Sequence, residues 1–80
     1  MYYVYIIESL KDQTRYVGHT SHTPSKRLDE HNRGLNAYTK ARAPYKIVWY
    51  GAFLEKQKAK AFEEYLKHGS GHAFAKKRLV

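Results

Sequence analysis

With 80 residues and no cysteine, the chain is expected to form one small domain, spanning 1–80, that buries about two-thirds of its unfolded surface. It must hold together by aliphatic and aromatic packing, because disulfides and thiolate zinc sites are excluded, and a cytoplasmic location is the default. Fifteen Lys and Arg against seven Asp and Glu leave a formal charge of +8, which suits a polyanionic partner.

The excess is uneven. Residues 1–40 carry six basic and four acidic side chains and residues 41–80 carry nine and three, so a phosphate-binding surface should draw on the second half. The plainer alternative is a charged, solvated exterior with no specific ligand.

Met1-Tyr2-Tyr3-Val4-Tyr5-Ile6-Ile7-Glu8 is apolar but has no basic leader and ends on a glutamate. It is expected to be a strand, not a signal peptide or a membrane span. Residues 2–8 and 14–18 are rich in Tyr, Val and Ile and flank the turn-forming run Ser9-Leu10-Lys11-Asp12-Gln13, which predicts a β-hairpin with a longer loop. Thr23-Pro24 is a good helix entrance and Gly34 a natural stop. Within that helix Arg27 and His31 are four apart and share a face. Only Leu28 is strongly apolar there, which predicts a thinly anchored helix.

Residues 35–45 have no clear period and read as a basic loop. Ile47, Val48, Trp49, Tyr50 and Phe53 predict a third strand between Lys46 and Leu54. From Lys56 to Lys67, Ala59, Phe62 and Leu66 recur at helical spacing, and Glu63 borders that apolar stripe. Glu64, about 100° further round, faces away from it. Gly69 is expected to end this helix and Ser70 to cap a last short one running through Phe74 to Leu79. The fold class expected is α/β in the α+β sense: a three-stranded antiparallel sheet flanked by helices, in the order β-β-α-β-α-α.

Cutting a phosphodiester needs a group to deprotonate water, a cation to stabilise charge on the phosphorus oxygens, and usually a carboxylate that holds a divalent metal. Tyr16, Arg27 and Glu63 are candidates for these three roles. Singly, each has a structural reading: tyrosines in strands pack their rings, and helical Arg and Glu are mostly surface groups. The histidines offer zinc-like spacings at His19-x-x-His22 and His68-x-x-x-His72, but no cysteine backs them. Tyr38, Tyr45 and Trp49 are candidates for stacking on bases, with core packing the competing expectation for Trp49.

Taken in order, Val4-Tyr5-Ile6, Tyr16-Val17-Gly18, Arg27 and Glu63 in Glu63-Glu64-Tyr65-Leu66-Lys67 resemble the GIY-YIG nuclease superfamily. The ending Tyr65-Leu66-Lys67-His68-Gly69-Ser70-Gly71-His72-Ala73-Phe74 is similar to small stand-alone bacterial members, and the resemblance also extends to the nuclease domain of an excision-repair nuclease. It covers essentially the whole chain. Val4 stands where the motif has its first glycine, and His19 follows Gly18 where some relatives have lysine. His31, four after Arg27, resembles an arrangement in some restriction enzymes of the family.

The resemblance implies a metal-dependent endonuclease acting on DNA, branched or damaged DNA included, with one Mg²⁺ or Mn²⁺ held by Glu63, and it suggests a DNA-repair setting. The catalytic set implied is Tyr5, Tyr16, His19, Arg27, His31 and Glu63: Tyr16 as base, Tyr5 orienting water, His19 or His31 passing the proton on, Arg27 stabilising the transition state. Tyr38, Lys40, Arg42, Lys67, Ser70 and His72 are expected along the nucleic acid. Weak sequence preference and a monomer or weak dimer are expected. The alternatives are a nucleic-acid-binding module that lost catalysis and a domain that binds an acidic protein.

Overall fold

The computed structural model describes residues 1–80, and its elements follow the order expected. The Tyr-, Val- and Ile-rich runs form β1 (Tyr2–Ser9) and β2 (Arg15–Thr20), paired antiparallel from Tyr3 opposite Thr20 to Glu8 opposite Arg15. Asp12 shapes the loop between them, accepting from the Thr14 backbone N–H and hydroxyl. β3 (Tyr45–Phe53) pairs antiparallel with the other edge of β1, so the sheet order is β2-β1-β3. β1 is buried from Val4 to Ile7, as a central strand covered on both faces must be. A bulge shifts the register between Ile6, which faces Trp49, and Ile7, which faces Ile47.

Alternation along β1 divides the core in two. Val4 and Ile6 point to one face, where they pack with Ala59 and Leu66 of α2 (Lys56–Lys67) and with Ala75. Trp49 and Phe62 close this cluster, with ring centroids 5.8 Å apart, so Trp49 is a packing residue. Tyr5 and Ile7 point to the opposite face and pack with Tyr45, Tyr16 and Leu28, the last from α1 (Pro24–Asn32). Beyond α2, α3 (Gly69–Phe74) runs into a π-helical turn at Ala75–Leu79.

At the start of α1, Thr23 accepts from the Lys26 N–H at 3.3 Å and Pro24 fills the first turn. The helix ends at Asn32, and the chain turns through Gly34 at φ +77°. The thin anchoring expected from Leu28 alone is corrected here, because Leu28 is half-buried and Pro24 and His31 are buried. Asn32 adds a polar tether to β3. Its side chain accepts from the Tyr45 N–H at 2.6 Å and donates to the Tyr45 carbonyl at 3.2 Å.

Two further expectations are corrected. Residues 35–45 are not uniformly loop: Thr39 is buried, Lys40–Arg42 makes a 3₁₀ turn, and Tyr45 already belongs to β3. Tyr45 is 5% exposed, so packing occupies the ring that was a candidate for base stacking. Ser70 does not cap the last helix. Gly69, at φ +49°, turns the chain so soon after α2 that His68 takes the capping position and Ser70 lies inside α3. No helix is long and apolar enough to cross a membrane.

Because the Asn32 amide satisfies both backbone groups of Tyr45, Asn32→Ala should lower the unfolding free energy by about 1–2 kcal/mol. Urea denaturation of the two proteins measures this, and an unchanged midpoint would remove the tether from the account.

Candidate active site

Tyr5 and Gly18 face each other across β1 and β2. The Tyr5 ring lies directly against Gly18, where a Cβ would stand 2.4 Å from the hydroxyl oxygen and 2.6 Å from Cζ. Only a glycine leaves room for this approach. The ring thereby carries its hydroxyl across the edge strand to α1, where Arg27 Nε donates to it at 3.3 Å and His31 Nε2 lies 2.9 Å away.

The hydrogen-bond direction follows from its ends. Arginine can only donate, so the phenol oxygen accepts from Arg27 and its own proton goes to His31 Nε2. His31 Nδ1–H then donates to the Thr39 hydroxyl at 2.6 Å, and that hydroxyl donates to the Asn36 carbonyl at 3.5 Å. Burial pushes the Tyr5 phenol up to about 12, with Arg27 only partly opposing it. Burial, then the Arg27 charge, brings His31 down to about 4. Both groups are therefore neutral at neutral pH. Tyr16 and Tyr45 enclose the imidazole, with ring centroids 5.3 and 6.3 Å from it. The other end of Arg27 donates to Glu30 Oε1 at 2.8 Å.

Glu63 projects from α2 and is 8% exposed. Glu64, the next residue, has a side chain 67% exposed, the contrast the helical stripe predicts. The Glu63 carboxylate is doubly paired: Oε1 with His19 Nδ1 from β2, and Oε2 with Lys67 Nζ at 2.8 Å. Burial pushes this carboxyl up, but the hydrogen bonds and charges of Lys67 and His19 outweigh it and hold the group below the usual carboxylate range. It is an ionised, mostly buried acid.

Two grooves open beside this pair. One, of about 500 Å³, is lined by His19, Arg27, Glu30 and Lys56, so Arg27 and the histidine bound to Glu63 share one concavity. The other, of about 510 Å³, is lined by Arg15, Tyr16, Lys67, His72 and Lys76 over an apolar floor. Tyr16 links the arginine and glutamate clusters, since its ring touches His31 on one side and lies 5.9 Å from Lys67 Nζ on the other.

The remaining expected residues are placed differently. Tyr5 and His31 reach this site from inside the protein, through Arg27, and present almost no surface of their own. Lys67 is engaged with Glu63, and His72 borders the same groove. Arg42, half exposed, pairs with Asp12 in the hairpin loop at 3.0 Å. Lys40 and Ser70 are exposed, and Tyr38 is 86% exposed. His19 and His22 do not join His68 and His72, and no three His, Asp or Glu side chains come together as a metal-binding group. Sequence reasoning missed the Lys67–Glu63 and Arg27–Glu30 pairs, although their i,i+4 and i,i+3 spacings carry that signal. Nothing local signals His19 with Glu63, 44 residues apart, or His31 with Thr39.

The small three-stranded sheet thus carries a tyrosine pair, a helical arginine and a mostly buried helical glutamate whose surroundings meet along one edge strand. The model of the GIY-YIG catalytic domain matches residues 1–77, and the chain belongs to the GIY-YIG family. It is 41% identical over 68 residues to a UPF0213 protein of Clostridium perfringens, covering 84% of this chain and 71% of that one. With a UPF0213 protein of Streptococcus agalactiae it shares 39% identity over 72 residues, 89% and 80% of the two chains. A third UPF0213 protein, from Halalkalibacterium halodurans, is 38% identical over 68 residues, 84% and 70% of the two chains. No solved structure gives a significant match.

The buried imidazole makes stability depend on pH. His31 is depressed from 6.5 to about 4 on folding, so the unfolded chain binds the extra proton between those values and stability falls as pH falls through that window. From pH 7 to pH 5 this single group should remove about 2 kcal/mol. Urea melts should show the loss, and His31→Gln should flatten it. A profile equally steep in the variant would assign the dependence to other groups.

Proposed function

We propose that this protein is a metal-dependent endonuclease that hydrolyses DNA phosphodiester bonds by direct attack of water. One observation carries the reading: Arg27 shares a groove with His19, the partner of Glu63, while Tyr16 touches both clusters. A cation donor, an ionised acid and a tyrosine ring thus lie along one edge of the sheet.

A single ionised carboxylate, whose partners His19 and Lys67 each border an open groove, fits a hard divalent cation that keeps several waters and takes phosphate oxygens, as Mg²⁺ and Mn²⁺ do. Glu63 would hold that ion, which when bound supplies charge stabilisation at the leaving oxygen. Tyr16 acts as the base by relay, giving up its own phenolic proton to solvent as it takes one from the attacking water. Arg27 stabilises the charge that develops on the phosphoryl oxygens. Tyr5 aims the guanidinium, and His31 fixes Tyr5 by accepting its proton. His19 orients the Glu63 carboxylate from below, and His72 and Lys76 extend the basic border along which a DNA strand would lie.

A second reading, a nucleic-acid-binding module without useful catalysis, is favoured by the fact that both Glu63 oxygens are already paired within the chain. The two readings separate in one experiment. Tyr16→Phe, Arg27→Ala and Glu63→Gln should each slow cleavage of duplex or branched DNA by about 10²–10³-fold, and chelator should stop it in the parent protein. Chelator-insensitive cutting shared by all four proteins would mark a contaminant.

Binding by Glu63→Gln should persist. Its log K should fall against log salt with a slope near −0.9 for each phosphate contact. A protein that binds with this slope but never cleaves, whatever the metal, is the binding module.

A further inference from the structure

A cation already sits on the acid that the nuclease reading gives to the metal. Lys67 Nζ lies 2.8 Å from Glu63 Oε2, His19 holds Oε1, and the carboxylate has almost no exposed surface left. A divalent ion and an ammonium repel one another, so they exclude each other from the same oxygen. The free protein therefore carries its own competitor for the metal.

The competitor is built to leave. Lys67 is the last residue of α2, its side chain is 35% exposed, and its ammonium stands 5.9 Å from the centre of the Tyr16 ring. It borders the groove that Arg15, His72 and Lys76 also line. A lysine is a point charge on a four-carbon flexible stem with three rotatable donors, so small torsional changes move it from Oε2 to an anion in that groove. His19 is short and fixed on β2, and it keeps its hold on Oε1 during the exchange.

We propose that Lys67 is an exchangeable counter-ion, a positioning residue whose ammonium passes from Glu63 to a nucleic-acid phosphate when substrate binds and so opens Oε2 to a divalent cation. The proposal rests on the reading of Glu63 as the cation-holding residue. Its consequence is thermodynamic coupling. Phosphate and carboxylate compete for one ammonium, so DNA and metal each strengthen the binding of the other, by the same factor. The protein alone is then a poor metal binder, which suppresses idle occupancy of the site.

The test measures Mn²⁺ binding from the free-ion electron paramagnetic resonance signal. The full chain is used with and without a short phosphorothioate duplex that resists hydrolysis. Glu63→Gln with the same duplex supplies the baseline for Mn²⁺ taken up by DNA itself. The duplex should tighten Mn²⁺ binding to the parent protein about fivefold or more, and Mn²⁺ should tighten duplex binding by an equal factor.

Lys67→Met should bind Mn²⁺ several-fold more tightly than the parent without DNA, and the duplex should then add less to its Mn²⁺ affinity than it adds to the parent's, since only direct contact between the ion and phosphate still couples the two. Lys67→Arg keeps a cation at the helix end and should retain coupling in part, which separates the effect from loss of folding. If Lys67→Met keeps the parent's Mn²⁺ affinity and coupling while uptake still depends on Glu63, the exchange is wrong and the nuclease reading survives. If Mn²⁺ uptake is the same in Glu63→Gln and the parent under every condition, the cation site itself falls, and this proposal with it.

Discussion

The close approach of the Tyr5 ring to Gly18 is the constraint on which the rest of the site depends. It moves a phenol from the central strand across the edge strand to α1. A hydroxyl so buried has to be fully partnered, and the partners available are a guanidinium, which can only donate, and an imidazole held neutral by burial. That combination leaves one hydrogen-bond direction, from Arg27 through Tyr5, His31 and Thr39 to the Asn36 carbonyl. The arginine that faces the groove is thus oriented by a chain that ends in the segment connecting α1 to β3. The same chain gives α1 an anchor that its scarcity of aliphatic residues would otherwise deny it.

The edge strand joins the two halves of the site. Side chains alternate along β2, so Tyr16 and Gly18 serve the α1 face while His19 serves the α2 face, opposite Val4 of the core. Arg27 and Glu63 come from helices on different faces, yet their surroundings meet along this strand: His19 borders the groove of Arg27, and Tyr16 lies beneath Lys67. An edge strand is the only part of a sheet where two faces are accessible from one side. A backbone as bulky as DNA can span such an edge without entering a deep pocket, which fits the open grooves found here. The Glu63 carboxylate stays ionised despite its burial because two basic side chains enclose it.

Much of this arrangement was legible in the chain. Strand periodicity placed β1, β2 and β3, Thr23-Pro24 marked the start of α1, and the helical stripe of Ala59, Phe62 and Leu66 put Glu63 inward and Glu64 outward. These are local signals, carried by residues within a turn or a pleat of one another. The failures were also physical in origin. Thr39 gave no sign of being buried, because its burial depends on His31 from another element. Tyr45 looked available for stacking, because the Asn32 tether that draws it into β3 is a contact between α1 and β3. Ser70 looked like a cap, because the tightness of the turn at Gly69 is set by how α3 packs back on α2.

By itself the sequence determined the element order, the positive charge and the short set of polar residues worth weighing for chemistry. Periodicity and composition act over a few residues, and they suffice for that. The tertiary structure alone decided which polar groups meet: His19 with Glu63, Tyr5 with Arg27 and His31, and Lys67 poised between an acid and a groove. It also decided the protonation of His31, because burial is a property of the assembled elements and a single helix has none to confer.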